Sequence, residues 1–227
     1  MAMKSTMLTV VLAAWCLFHD PPLLLRASGA KIDIDTGKMA LYVFGDSLYD
    51  TGMTLYHESK TIGAAKFWPY GETYFKKPAG RFCDGRVIPD FIAQSAGLPL
   101  PEPYLRPGLK TYTNGINFAS ASACVLVGVR PAAIDFTAQV EYFREMVQKM
   151  KQQMGQEKAN NVISQAVYLF DIIGGNDYVQ LLKDNINKTI SPAFKELYMR
   201  EILGNISIHL KTIYNEGGRK FAFQNLG

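Results

Sequence analysis

A serine can act as a nucleophile when its hydroxyl is exposed, a base takes its proton, and N–H groups face the oxyanion that forms. The stretch LYVFGDSLYD, residues 41–50, places Ser47 directly after an apolar, strand-forming run. That position presents a hydroxyl at the edge of a sheet. If a helix begins there, the backbone N–H of Ser47 points at the developing charge. Asn176, in IIGGNDY at 172–178, follows a second apolar run and offers a side-chain amide as another donor. A turn over 119–124 can supply a third donor, a backbone N–H. Each such donor can contribute ~3 kcal/mol of transition-state stabilisation. Plainer roles compete: Ser47 as a helix cap, and Asn176 beside Gly175 as a turn-former.

Rival chemistries fit the spacing less well. A nucleophile elbow, Gly-x-Ser-x-Gly, needs glycine where Tyr49 stands. No Walker loop or dinucleotide glycine fingerprint is present. Asp46 and Asp50 suggest an aspartyl-phosphate route. Their separation is wide for two carboxylates sharing one magnesium, and no acidic cluster backs them. His19, His57 and His209 are too far apart in sequence to suggest a metal site.

Stepping along the chain, ALYVFG (40–45) reads as a buried strand and GINFAS (115–120) as a second. AVYLFDII (166–173) reads as a third, and KFAFQNLG (220–227) begins a fourth. RVIPDFIAQSA (86–96) predicts a short helix stopped by Gly97. Phe136, Val140, Phe143, Val147, Met150 and Met154 recur in steps of three and four, which predicts an amphipathic helix. A long helix is predicted over 191–215, with Phe194, Tyr198, Ile202, Ile206, Leu210 and Ile213 on one face. Pro192 suits its first turn and Gly217 its end. Residues 60–85, rich in Gly, Pro and aromatics, predict an irregular surface excursion. Strands alternating with long helices mean an α/β fold with a mainly parallel sheet. Ligands of such sheets bind outside the carboxyl ends of the strands. The turns at Gly45-Asp46-Ser47, 119–124 and 174–177 should therefore converge on one crevice.

The chain has 227 residues, a net charge of +4 and no basic block, which argues against a nucleic-acid partner. Lys4, the apolar run MLTVVLAAWCLF (7–18) and the small residues of LRASGA (25–30) predict a secretory signal peptide over residues 1–30. The run is shorter than the ~20 residues of a membrane span, so no stable membrane anchor is expected. Secretion fits glycosylation at Asn187 (NKT) and Asn205 (NIS), of which Asn187 is the better candidate because Asn205 falls in a predicted helix. Cys16 leaves with the signal; Cys83 and Cys124 either pair or remain as free thiols.

Several stretches together resemble the plant GDSL esterase/lipase family of the SGNH hydrolase group. They are FGDSLYDTG (44–52), FWPYGETYFKKPAGRFCDGRVIPDFIAQSAGLPLPEPYL (67–105), GINFASASACVL (115–126), IIGGNDY (172–178) and RKFAFQNLG (219–227). The resemblance implies a flavodoxin-like three-layer α/β/α sandwich, formed here by residues 31–227 and incomplete at the C-terminus. It implies a secreted hydrolase of carboxylic esters, of small molecules or lipids, that needs no cofactor. By position Ser47 would be the nucleophile and an oxyanion donor, and Asn176 a second donor. The third, a backbone N–H that the family takes from a glycine five residues after Asn117, falls on Ser122. If that turn needs positive φ, a serine is strained there. Cys124 also replaces a usual glycine. The family's base is a histidine three residues after an aspartate. Here Cys16, Thr54 and Ile206 occupy that offset before the three histidines, so no Asp-x-x-His exists. The chain is expected to be the N-terminal part of an esterase, nearly inactive alone and poorly folded for want of the last strand. The alternative is a catalytically dead binding or regulatory product that keeps the ester crevice.

Overall fold

The computed structural model describes residues 39–57, 63–171 and 173–224. The segment read as a signal peptide lies outside them. Four strands, β1 (Leu41–Phe44), β2 (Gly115–Asn117), β3 (Val167–Phe170) and β4 (Lys220–Phe223), form one sheet in the order β2-β1-β3-β4. Every pairing is parallel, with Tyr42 opposite both Ile116 and Tyr168, and Leu169 opposite Ala222. A parallel neighbour requires a crossover. The crossovers here carry the helices α1 (Met53–Tyr56), α2 (Ile88–Ser95), α3 (Phe136–Met154), α4 (Gln156–Gln165), α5 (Gly175–Asp184) and α6 (Pro192–Asn215).

Alternation along β1 sorts the core into two layers. Tyr42 and Phe44 face one side, packed with Phe136, Val140 and Phe143 of α3, Ile163 of α4, and Ile202 and Ile213 of α6. Leu41 and Val43 face the other, with Ala93 of α2, Tyr49 and Leu169. The sheet is thus covered on both faces, which gives the α/β/α sandwich and explains why its strands are apolar on both sides. Phe44 sits at its centre, its ring stacked 5.0 Å from Phe118 and 5.1 Å from Phe170.

Strand and helix positions follow the sequence closely, with four differences. The strands are shorter than their apolar runs, because pairing stops where the chain turns into the site. Ser47 does not begin a helix: it lies in a turn, and α1 starts only at Met53. GGNDY is no turn beyond Gly174, since α5 begins at Gly175. Helix α4, which the sequence did not single out, is set off from α3 by Gly155 at φ 85°. On α6 the apolar face is buried at Ile202 and Ile213, and Tyr198, Ile206 and Leu210 pack against the core, but Phe194 is half exposed. Residues 63–85 form turns and one 3-10 turn at Ala64–Lys66, the irregular excursion expected.

Candidate active site

The first turn is built around Gly45, at φ 140°. A Cβ there would lie 2.1 Å from Cγ of Asp171, so no larger residue fits. Gln139 of α3, fully buried, clamps Gly45 at both ends. Its Nε2 donates to the Gly45 carbonyl at 2.8 Å, and its Oε1 accepts the Gly45 N–H at 3.0 Å. The same carbonyl accepts the Ser120 N–H at 3.0 Å, which joins the second turn to the first. The Asp46 N–H donates to Oδ2 of Asp171 at 2.6 Å, and Asp46 Oδ1 accepts the Leu48 N–H at 2.9 Å. Both flanks of the turn are therefore fixed. Ser47 between them is half-buried, and among the described residues neither its hydroxyl nor its N–H has a hydrogen-bond partner.

The second turn holds Ser122 at φ 64°, the left-handed region. The expected positive φ is present, at a cost of ~1–2 kcal/mol for an L-residue. Its N–H, like that of Ser47, meets no acceptor among the described residues. Asp50 ties this turn to the first. Fully buried, it accepts N–H groups of Gly52, Met53 and Thr54, the Thr54 hydroxyl, and the Ala121 N–H at 3.0 Å. Burial raises its pKa to about 6 despite those donors. An oxygen pair so enclosed is a structural anchor, which removes it from any aspartyl-phosphate chemistry. Asn117 adds to the tie, donating to the Tyr49 carbonyl at 2.7 Å.

The third segment brings Asn176 in the first turn of α5. Gly174, at φ 92°, leads into that helix, and a Cβ there would meet Ile202 at 2.7 Å. The Asn176 amide donates to Asp46 Oδ2 at 2.9 Å and to the Ala123 carbonyl at 3.0 Å, so it bridges the other two turns. Its Oδ1 accepts from Arg130 at 3.1 Å, which fixes the orientation of the amide. Asp177 accepts the N–H groups of Val125 and Leu126 at 2.8 and 2.9 Å. The three polar turns at the carboxyl ends of β1, β2 and β3 do converge.

Other sequence candidates lie apart. His57 bonds the Ala132 carbonyl through Nε2 at 2.8 Å, and His209 meets the Thr137 hydroxyl at 3.2 Å. Burial lowers the pKa of His209. Among the described residues neither hydrogen-bonds a carboxylate or Ser47, and His19 lies outside them. Cys83 and Cys124 are free thiols, and burial pushes Cys124 up to about 12. Asn187 is exposed in the turn after α5, whereas Asn205 sits within α6 and donates to the Glu201 carbonyl. Among the described residues no group of His, Cys, Asp and Glu could hold a metal, and no helix is long and apolar enough to cross a membrane.

Three site residues escaped the sequence reading. Gln139 had a signal: it is a polar residue between Phe136 and Phe143 on a face otherwise apolar. Asp171 had one too, as a charge at the end of a buried run. Arg130, in a loop, had none.

Residues 41–227 match the family described as GDSL-like lipase/acylhydrolase, and the chain belongs to it. A GDSL lipase of Tanacetum cinerariifolium is 41% identical over 188 residues, 82% of this chain and 49% of that protein. GDSL esterase/lipase 2 of Arabidopsis thaliana is 41% identical over 195 residues, 85% of this chain and 51% of that protein. Inactive GDSL esterase/lipase-like protein 25 of Arabidopsis thaliana is 36% identical over 186 residues, 82% of this chain and 41% of that protein. The chain spans about half the length of the curated relatives it matches.

Proposed function

We propose that this member of the GDSL-like lipase/acylhydrolase family supplies the nucleophile and the oxyanion donors of a secreted carboxylic ester hydrolase. The observation that carries this reading is the state of Ser47: its flanks are held by Asp171, Gln139 and Asp46, while its own hydroxyl and N–H are uncommitted. Its oxygen bonds to the acyl carbon, the carbonyl π pair moves onto oxygen, and the N–H groups of Ser47 and Ser122 with the Asn176 amide face that charge. The C–O bond to the alcohol then breaks, the alcohol leaving with a proton. Water repeats the attack on the acyl-serine, which releases the acid and restores the hydroxyl. No step calls for a cofactor, and the substrate is a small-molecule or lipid ester. Residues 1–30 act as the cleaved signal, residues 31–227 as the hydrolase segment, and Asn187, exposed, is the favoured glycosylation site over Asn205.

The proton needs a base, and removing a triad member from a serine hydrolase costs ~10⁴–10⁶ in rate. Among the described residues neither histidine reaches Ser47 or a carboxylate, so the base is unassigned there; a second reading is an ester-binding product without turnover. Hydrolysis of a short-chain chromogenic ester by the purified chain, with Ser47→Ala as control, decides between them. Activity lost in the variant supports the hydrolase. Equal background in both, with the ester still bound, supports the second reading.

A further inference from the structure

Asp171 closes β3 at the floor of the site, 2% exposed, and its carboxyl fills the space that Gly45 leaves. One oxygen accepts the Asp46 N–H at 2.6 Å. The other, Oδ1, has no hydrogen-bond partner, and no lysine or arginine pairs with this carboxyl among the described residues. An orphaned, ionised carboxylate in such a place costs several kcal/mol, and proteins relieve that cost by protonation. The carboxyl of Asp46 lies beside it: Asp46 is the residue whose N–H Asp171 accepts, and both residues line one small cavity with Gly45, Cys124 and Gln139. Two carboxylates cannot bond each other; a carboxylic acid and a carboxylate can.

We propose that Asp171 is a positioning residue of this site: a proton held between its carboxyl and that of Asp46 fixes the turn that presents Ser47 and, through Asp46, the amide of Asn176. The inference rests on the proposed role of that turn. The remaining groups around the pair do not undo it. Tyr49 belongs to the first turn, its phenol pushed up to about 12 by burial and by Asp171. Cys124 comes from the second turn with a thiol that burial keeps neutral. Gln139 comes from α3 and is uncharged, and Asn176 comes from α5. The cation Arg130 is spent on Asn176. Burial first, and the Asp46 charge second, raise the Asp171 pKa to about 9. The unfolded chain releases this proton near the ordinary aspartate value of ~3.9. The folded chain therefore holds one extra proton between those limits, and stability falls as pH rises through the window.

The test compares urea unfolding of the chain and of Asp171→Asn from pH 6.5 to 8.5, where any titration of Asp50 is common to both proteins. An asparagine amide donates to Asp46 without carrying a titrating proton, so it replaces the acid. The chain is expected to lose up to about tenfold in its folding constant per pH unit relative to the variant. The variant should equal or exceed the chain in stability at pH 8.5. An identical pH slope in the two proteins overturns the proposal. Infrared spectra of the unsubstituted chain provide a readout independent of whether the variant folds. At pH 8 a protonated carboxylic acid band is expected that bleaches toward pH 10, and its absence also overturns the proposal. Ester hydrolysis measured alongside separates the two ideas. A flattened slope with no hydrolysis in any form keeps the proton pair and rejects the hydrolase. Hydrolysis that declines above pH 9 in the chain but not in Asp171→Asn supports both.

Discussion

Replacing Gln139 by leucine tests whether the first turn is held by its clamp or by the sheet alone. The two side chains are close in size, so the core keeps its volume while both polar bonds to Gly45 vanish. The Gly45 N–H is buried and has no second acceptor among the described residues, so it is left unsatisfied at about 1–3 kcal/mol. The Gly45 carbonyl keeps the Ser120 N–H, so its loss is one ordinary bond of about 1 kcal/mol. The contact to the Ile134 carbonyl is long, 3.4 Å, and adds little. Leucine returns about 1 kcal/mol through its apolar surface. The sum is a destabilisation of about 1–3 kcal/mol. With a urea slope of about 2 kcal/mol per molar, the midpoint should fall by about 0.5–1.5 M with the slope unchanged. Circular dichroism across a urea series measures it. A loss under about 0.5 kcal/mol would refute the argument, since it would mean that the turn holds its shape unaided. Gln139→Glu sharpens the test. Burial raises the pKa of that glutamate, and its protonated form can again donate to the Gly45 carbonyl. Its stability should therefore be fullest below the unfolded value of ~4.3 and be lost as pH rises through the folded one.

Two further outcomes follow from local geometry. Ser122→Gly relieves ~1–2 kcal/mol of left-handed strain and loses ~0.4–1 kcal/mol to the freer unfolded chain. The variant should be level with the parent or up to about 1.5 kcal/mol more stable in urea, and a clear destabilisation would show that the serine hydroxyl has a structural role. Arg81 binds Asp90 through two bonds, at 2.7 and 2.8 Å, and holds the Thr51 carbonyl at 2.8 Å, all buried. Arg81→Met should cost about 3–5 kcal/mol, because it strands the Asp90 carboxylate; a melting temperature within 3 °C of the parent would count against it.

The sheet was legible because its strands are covered on both faces and so read as unbroken apolar runs, from ALYVFG to AVYLFDII. Helix α3 was legible because its apolar steps matched the helical period over nineteen residues. Boundaries were not, since strand pairing ends where backbone groups turn to distant partners such as Asn117 and Gln139, which no local pattern encodes. Helix α5 was hidden because two glycines disguise a helix start that is stabilised from outside, by Ile202 beside Gly174 and by the segment that Asp177 holds. Ser47 and Asn176 could be placed from strand ends and turn chemistry, and Ser122 through the resemblance to the family. Gln139 and Asp171, which bond the first turn, act over 94 and 125 positions of sequence and become visible only when the chain is folded.

The Asn176 amide, with both hydrogens already given to Asp46 and to the Ala123 carbonyl, has a consequence for how any anion is received. The site at rest contains an acceptor of its own, the Asp46 carboxyl, on the donor that the proposed oxyanion would use. A ligand arriving there trades places with an internal competitor, and the count of hydrogen bonds to Asn176 stays the same. The gain from that donor is then the difference between two acceptors. Selectivity in such a place comes from the exchange: a weak acceptor such as a resting ester carbonyl has little to offer against a carboxylate. A full negative charge competes on equal terms. On the proposed reading, the donor that Asn176 withholds from the ground state is released chiefly to the species whose charge has already formed.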